Sequence, residues 1–325
     1  MSASVELQPK RSNRALVGIL SLTAGVLVFS AQDIIVKAIN GGYAVGEILF
    51  VRSLVSLPIL LAVIAAREGF GALRASQLRL NILRGSILFI AYTTYYIALA
   101  ALSLADTVAL GMSSPLFITA LSAPILGEVV GIRRAIAVVV GFAGVLLMTR
   151  PGTGGFEPAA LLALTCALAY GLAQLMARRL GQRDSATVMT FYAALFNVAA
   201  AGLCGVLLGD GHLAGTGYKS LDFLLRAWAW PTPLDMGLMI ATGVVATIGS
   251  ALLTEAYRVA EPSVVAPFEF TGVIWAILWG ILFFAEVPDR LSIAGILLIV
   301  GSGLYILYRE SVRRRTISRA DVPAG

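Results

Sequence analysis

Apolar runs of roughly 18–25 residues alternate with short polar breaks along most of this chain, and each run is long enough as a helix to cross a hydrocarbon layer of about 30 Å. The runs fall near residues 15–39, 45–66, 80–102, 105–126, 132–149, 157–180, 185–209, 234–257, 262–284 and 291–308. They predict ten transmembrane helices, called spans 1 to 10 below, whose short links make successive spans antiparallel neighbours. One link is longer. Asp210–Pro233 contains His212, Lys219, Arg226, Trp228 and Trp230, and its FLLRAWAWP segment predicts a helix lying at the membrane interface, where Trp is favoured.

The pattern occurs twice. One gap-free offset carries Ala98 onto Ala256, Glu128 onto Glu286 and Gly85 onto Gly243. Each copy, 98–150 and 256–308, reads as an apolar helix, a break carrying Glu, and a second Gly-containing apolar helix. At a slightly different offset Phe29-Ser30 with Lys37 falls on Tyr170-Gly171 with Arg178, and Arg52 on Tyr192. A repeat of this length defines the architecture: an N-terminal tail 1–14, a five-helix unit 15–150, a second five-helix unit 157–309, and a C-terminal tail 310–325. Five is odd, so the second unit enters the membrane from the opposite side, giving two inverted repeats.

Composition agrees with this reading. Of 325 residues 58% are hydrophobic and 13% charged, against about a quarter charged in ordinary soluble domains. The expected fold class is therefore an all-α membrane protein. The net charge of +6 is not a nucleic-acid signature, because the basic residues cluster in links on one side. Lys10, Arg11, Arg14, Arg67, Arg74, Arg79, Arg133, Arg134, Arg183 and Arg313–Arg315 fall there, whereas the other side holds Arg150, Lys219, Arg226 and Arg290. The excess predicts cytoplasmic N- and C-termini. The first apolar run is too long for a signal-peptide core and is expected to be retained. Cys166 and Cys204 lie inside spans, where a disulfide framework is not expected.

Soluble-enzyme chemistry finds no support. One histidine, His212, excludes HExxH and His-based zinc clusters, and none of the three lysines (Lys10, Lys37, Lys219) follows Gly as a Walker A loop requires. No GxSxG elbow is present. No catalytic residue, metal site or cofactor is expected.

Ionisable groups at membrane depth are costly and become functional candidates. Asp33 and Lys37, four apart, are placed to pair within span 1. Asp33 lies roughly 9 Å from the span end and Arg52 roughly 10 Å from the same surface, so the two fall at one level, either as a structural ion pair or as a substrate contact. Glu269 follows Pro267 with no basic residue nearby in sequence. A carboxylate so placed favours its neutral form, making Glu269 the candidate for proton coupling or for binding a substrate amine or hydroxyl, against a purely structural acid. Glu47, Glu255 and Arg84 are expected to reach the interface, and Glu128 and Glu286 to cap helix ends. Phe89, Tyr92 and Tyr96 share one face of span 3, with Tyr95 beside it. With Tyr170, Gln174, Ser114, Asn197 and Trp275 they predict a polar, aromatic cavity between the two halves. Pro115 and Pro267 fall within spans 4 and 9. Gly127-xxx-Gly131 and Gly205-xxx-Gly209 permit close helix approach, and spans 5 and 10, nearly free of polar groups, read as scaffold or homodimer surface.

The segments SLADTVALGMSSPLF…APILGE at 103–128, GFAGVLLMTRPG at 141–152 and APFEFTGVIWAILWGILFFAEVPD at 266–289, with Lys37 and Arg52, resemble the drug/metabolite transporter superfamily, EamA type. The resemblance implies a multi-pass inner-membrane carrier that moves a small molecule by alternating access through a central cavity, with spans 5 and 10 at the periphery. Similar proteins include riboflavin importers, S-adenosylmethionine carriers and exporters of amino acids or metallophores. The tyrosine face suits a flat ring such as a flavin, and Arg52 suits a carboxylate. Riboflavin is the first named expectation, then S-adenosylmethionine or an amino acid derivative. The alternative is a membrane-embedded protein without transport, a lipid-handling enzyme or sensor.

Overall fold

The computed structural model describes residues 8–126, 131–152, 157–180, 183–260 and 262–320, and among these every regular element is a helix. Ten are long and apolar enough to cross a membrane: Ala15–Ile39, Val45–Arg67, Leu78–Ala101, Leu104–Leu121, Ile132–Thr149, Ala159–Ala177, Ala186–Leu208, Pro233–Tyr257, Ala266–Phe284 and Arg290–Arg309. The chain is thus a multi-pass membrane protein whose ten spans start and stop within a few residues of the positions read from hydropathy. In hydrocarbon a run of apolar residues must satisfy its own backbone, and the helix does so. Side chains close the orphan N–H groups where spans begin: the hydroxyls of Ser103, Ser185 and Thr232 accept from Asp106 N, Val188 N and Asp235 N at 3.0, 3.2 and 3.2 Å.

The packing joins the halves rather than separating them. Span 1 lies along span 8, span 3 along span 6, span 2 along span 7, span 4 along span 9 and span 5 along span 10. Exchanging span n with span n + 5 maps this set of contacts onto itself. The last pair is a backbone-to-backbone approach. A Cβ on Gly144 would lie 2.8 Å from Gly295 O, and one on Gly295 would lie 2.7 Å from Gly144 O, so only small residues allow this crossing.

Two spans depart from the sequence expectation of single proline-containing helices. Span 4 is interrupted between helices Leu104–Gly111 and Ser114–Leu126. Span 9 runs from Pro262–Val265 through a 3₁₀ turn, Ala266–Phe270, into Thr271–Phe284. The breaks correspond. Ser113 Oγ donates to Leu110 O at 2.6 Å and Thr271 Oγ1 to Phe268 O at 2.6 Å, and the offset that carries Ala98 onto Ala256 carries the first pair onto the second. At each interruption the same carbonyl accepts both the hydroxyl and the backbone N–H of the residue three on, Ser113 N to Leu110 O at 3.1 Å and Thr271 N to Phe268 O, local repair of the kind broken helices need in a membrane.

The long link is folded more tightly than expected. Only Lys219–Leu225 is helical. Phe223 is buried, and the chain then returns so that Trp228 lies against Gly46 and Gly205. Gly205 therefore accommodates an indole and not a helix crossing; Gly127 and Glu128 lie outside the described residues. Trp230 is 92% exposed.

Candidate functional site

Polar side chains of spans 1, 2, 3 and 6 converge on a column inside the bundle. Asp33 faces span 3 and accepts from Tyr95 Oη at 2.9 Å. Cys166 of span 6 lies within electrostatic reach of this pair. The intrahelical Asp33–Lys37 pair expected from spacing does not form. Lys37 instead reaches Glu286 Oε1 at 2.7 Å and donates to Leu102 O at 2.7 Å. Glu286 lies on another span, and with Leu102 O it gives the ammonium two acceptors, while Asp33 is held by Tyr95.

Arg52 is 8% exposed and Tyr96 1%. The guanidinium donates through Nη1 to Tyr96 Oη at 3.1 Å and lies 4.8 Å from the Tyr92 ring and 5.8 Å from the Tyr96 ring, within cation–π range. It forms no ion pair with a carboxylate among the described residues. Asp33 and Arg52 are within electrostatic reach, yet no direct bridge closes between them, because each carries a tyrosine hydroxyl where the other was expected. Gln32 Nε2 donates to the same Tyr96 oxygen at 2.7 Å, leaving Gln32 Oε1 buried without a partner. Turning the amide over would let Tyr96 donate to Gln32 instead, and would leave the amide NH₂ unpaired. Either way one end of Gln32 is free for a ligand.

Nearer the opposite end of the spans the column continues through Glu269, which accepts from Tyr257 Oη. Tyr170 lies near Gln174, one turn on, and within electrostatic reach of Glu269, Tyr92 and Arg84. Tyr170 and Tyr257 are 37% and 36% exposed, the most open members of the column. Arg84 does not snorkel: Nε donates to Ala173 O at 3.2 Å and Nη1 to Met189 O at 3.5 Å, tying span 3 to spans 6 and 7. Glu47, expected at the interface, is 5% exposed because the long link folds over it, with Ala229 N donating to its carboxylate at 3.4 Å. Ser114, at the break in span 4, is buried beside span 6 with its hydroxyl unpartnered, and Asn197 Oδ1 is likewise buried and unpartnered. Trp275 Nε1 is also buried and unpartnered. The Trp275 ring stacks on Trp279 at 6.0 Å and 19° and packs with Leu22 and Val26 of span 1, while Trp279 Nε1 donates to Ser30 Oγ at 2.9 Å.

Each end of the bundle is tied across the halves. At one, Glu286 Oε1 holds Lys37 while Oε2 accepts from Leu104 N at 2.8 Å. A single carboxylate thus joins the end of span 1, the start of span 4 and the end of span 9. Beside it Arg150 bonds to Asp289, and this hydrogen bond holds the Asp289 carboxyl below the usual carboxylate range. At the other end Asp184 accepts from Ser76 N and Oγ at 2.9 Å each and from Asn81 Nδ2 at 2.7 Å. Burial pushes the Asp184 carboxyl up, but these bonds outweigh it and hold it below the usual 3.8. Among the described residues no group of three or more His, Cys, Asp or Glu is placed to hold a metal ion.

Sequence reasoning missed Gln32 and Tyr257 and did not assign Tyr95 a role. Gln32 sits beside Asp33 and was discoverable as an amide at membrane depth. Tyr257 closes span 8, where a tyrosine looks interfacial, and its acidic partner lies across an irregular turn.

Comparison with known proteins places this arrangement. The EamA-like transporter family matches residues 16–150 and 157–308. The S-adenosylmethionine uptake transporter of Rickettsia prowazekii is 23% identical over 91% of this chain and 94% of its own. The pseudopaline exporter CntI of Pseudomonas aeruginosa is 29% identical over 87% of this chain and 93% of its own. The riboflavin transporter of Rhizobium johnstonii is 27% identical over 93% of this chain and 95% of its own. A solved crystal structure covering 94% of this chain and 99% of its own, at 19% identity, has a TM-score of 0.60, a likeness of fold. With the match running through both halves and leaving only the tails and one short link, the chain is a transporter rather than an enzyme, and it belongs to the EamA-like transporter family.

Proposed function

We propose that this protein carries a small, charged organic metabolite across the bacterial inner membrane by alternating access, with its N- and C-termini in the cytoplasm. In this reading 15–150 and 157–309 are inverted repeats that rock about the polar column. The symmetric set of span contacts and the matched breaks in spans 4 and 9 support it, since discontinuous helices at corresponding positions of two halves mark transporter binding sites.

The observation that carries the substrate reading is the buried Arg52, stacked on Tyr92 and bonded only to Tyr96, with Asp33 nearby on its own tyrosine. A guanidinium without a protein carboxylate takes one from the ligand, and Asp33 takes an ammonium. Such a site favours a zwitterionic, amino-acid-type head group. Tyr92, Tyr96 and Tyr170 then offer rings to a flat substituent, and Gln32, Ser114 and Gln174 offer hydrogen bonds. Trp275, stacked on Trp279, offers a further indole N–H that has no protein partner. S-adenosylmethionine, which joins such a head group to a purine, suits this set better than riboflavin, which has neither charge. The tyrosine face alone still favours the flavin as a second reading. Glu269, held by Tyr257, is the proposed coupling acid: it would release its proton when the column opens to the cytoplasm.

Counterflow in liposomes loaded with S-adenosylmethionine, riboflavin, a neutral amino acid, or its decarboxylated amine tests the head-group reading. Exchange of the two zwitterions but not of the amine or the flavin is expected, with Arg52→Gln abolishing it. Exchange of riboflavin alone would transfer the assignment to the flavin.

A further inference from the structure

Spans 5 and 10 touch through Gly144 and Gly295, and an open groove of roughly 290 Å³ flanks their other end. It is lined by Arg133, Ile136, Ala137, Val140, Gly301, Ser302 and Tyr305, and the Ser302 hydroxyl is spent on Ile299 O. Ile136 and Val140 follow Arg133 by three and seven residues, one face of the helix. Gly301 leaves a gap in the facing wall, since a Cβ there would meet nothing within 4 Å. The groove is mostly apolar, and Arg133, at the start of span 5, is the one cation that lines it. Arg133 is followed by Arg134, and Arg309 ends span 10. The Arg133 guanidinium and the Tyr305 hydroxyl have no protein partner among the described residues.

We propose that this groove binds one anionic glycerophospholipid, its phosphate on Arg133 and its acyl chain lying between spans 5 and 10 over Gly301. Charge complementarity selects the occupant. A second copy of this chain would bring the same arginines and the same sign, whereas a phosphate beside an apolar chain matches both parts of the groove. Basic pockets between membrane helices are where acidic lipid headgroups bind. Spans 5 and 10 hold none of the polar column, so the site is separate from the one that carries substrate.

Purified full-length protein is examined by native mass spectrometry after delipidation and addition of phosphatidylglycerol or phosphatidylcholine of identical chains. The expected result is one retained phosphatidylglycerol per chain in preference to phosphatidylcholine. Arg133→Ala should weaken retention about fivefold, the share of one arginine near a membrane surface. Gly301→Leu fills the groove without altering charge and should reduce retention of either lipid. Equal retention of the two lipids by wild type, or phosphatidylglycerol retention that Arg133→Ala leaves unchanged, would overturn the proposal. So would a dimer that Gly301→Leu dissociates, which would give the groove to a second copy. If Gly301→Leu does not fold, the Arg133→Ala comparison decides alone.

Discussion

Consider the carboxylate of Glu286. It fixes Lys37 at 2.7 Å and caps Leu104 N at 2.8 Å, with side-chain exposures of 9% for Lys37 and 28% for Glu286. Removing one member of a fully buried pair costs about 3–5 kcal/mol, while exposed pairs are worth about 0–1 kcal/mol. A nearly buried ammonium with a partly open partner falls between, at about 2 kcal/mol. Glu286→Gln keeps an oxygen for Leu104 N but strands Lys37, so most of that cost should appear. Lys37→Met in the same chain removes the stranded charge, and the double variant should recover at least about 1 kcal/mol of the summed single losses. Unfolding of the four proteins in one detergent measures this cycle. The same contact holds the ends of spans 1, 4 and 9 together, so weakening it by about 1.4 kcal/mol raises the population open at that end about tenfold. Cys166 of span 6, within electrostatic reach of Asp33, is the natural reporter. In a Cys204→Ser background, an impermeant maleimide added from the Lys37 side should label Cys166 about tenfold faster after Glu286→Gln. Additive single losses together with unchanged labelling would refute the reasoning: the contact would then be a surface ornament.

Further expectations are narrower. Tyr96→Phe removes the one acceptor of both Arg52 and Gln32 and should cost about 1–3 kcal/mol of stability, read by thermal unfolding, with most of it regained when a carboxylate ligand is added. Gly295→Ala puts a Cβ at 2.3 Å from Met148 Cγ and 2.7 Å from Gly144 O; backbone must move, and a loss of about 1–3 kcal/mol is expected with substrate affinity in the column unchanged. The Asp184 carboxyl lies below its ordinary 3.8 in the fold, so its contribution is present above that value and disappears as pH falls through the lower folded value. Asp184→Asn should therefore be less stable than wild type at pH 7, and the difference between the two unfolding curves should shrink as pH falls below 3.8 toward the lower folded value.

Hydropathy made the spans legible because membrane helices are written locally: a run either is or is not apolar for some twenty residues. The polar column was legible in part for the same reason, since Asp33, Arg52, Tyr92, Tyr96 and Glu269 stand out wherever they point. What stayed hidden depended on partners far apart in sequence. Lys37 had a carboxylate four residues away, yet bonds one at Glu286. Arg84 looked near enough to the surface to snorkel but finds carbonyls of two other spans. The interruptions of spans 4 and 9 were flagged only as prolines. The residues that do the local repair, Ser113 and Thr271, are unremarkable hydroxyls until their carbonyls are seen.

The central claim, that the column carries a charged metabolite and that Glu269 couples it to protons, is tested most directly by uptake. Purified protein in liposomes is offered a mixed pool of metabolites, with and without a pH gradient, and the lumen is read by mass spectrometry. The account predicts that a zwitterionic solute accumulates, that Arg52→Gln stops its entry, and that Glu269→Gln leaves entry but removes its response to the gradient. If folded protein admits no solute under either condition, the carrier reading is contradicted; if entry survives Arg52→Gln unchanged, the column is not its path.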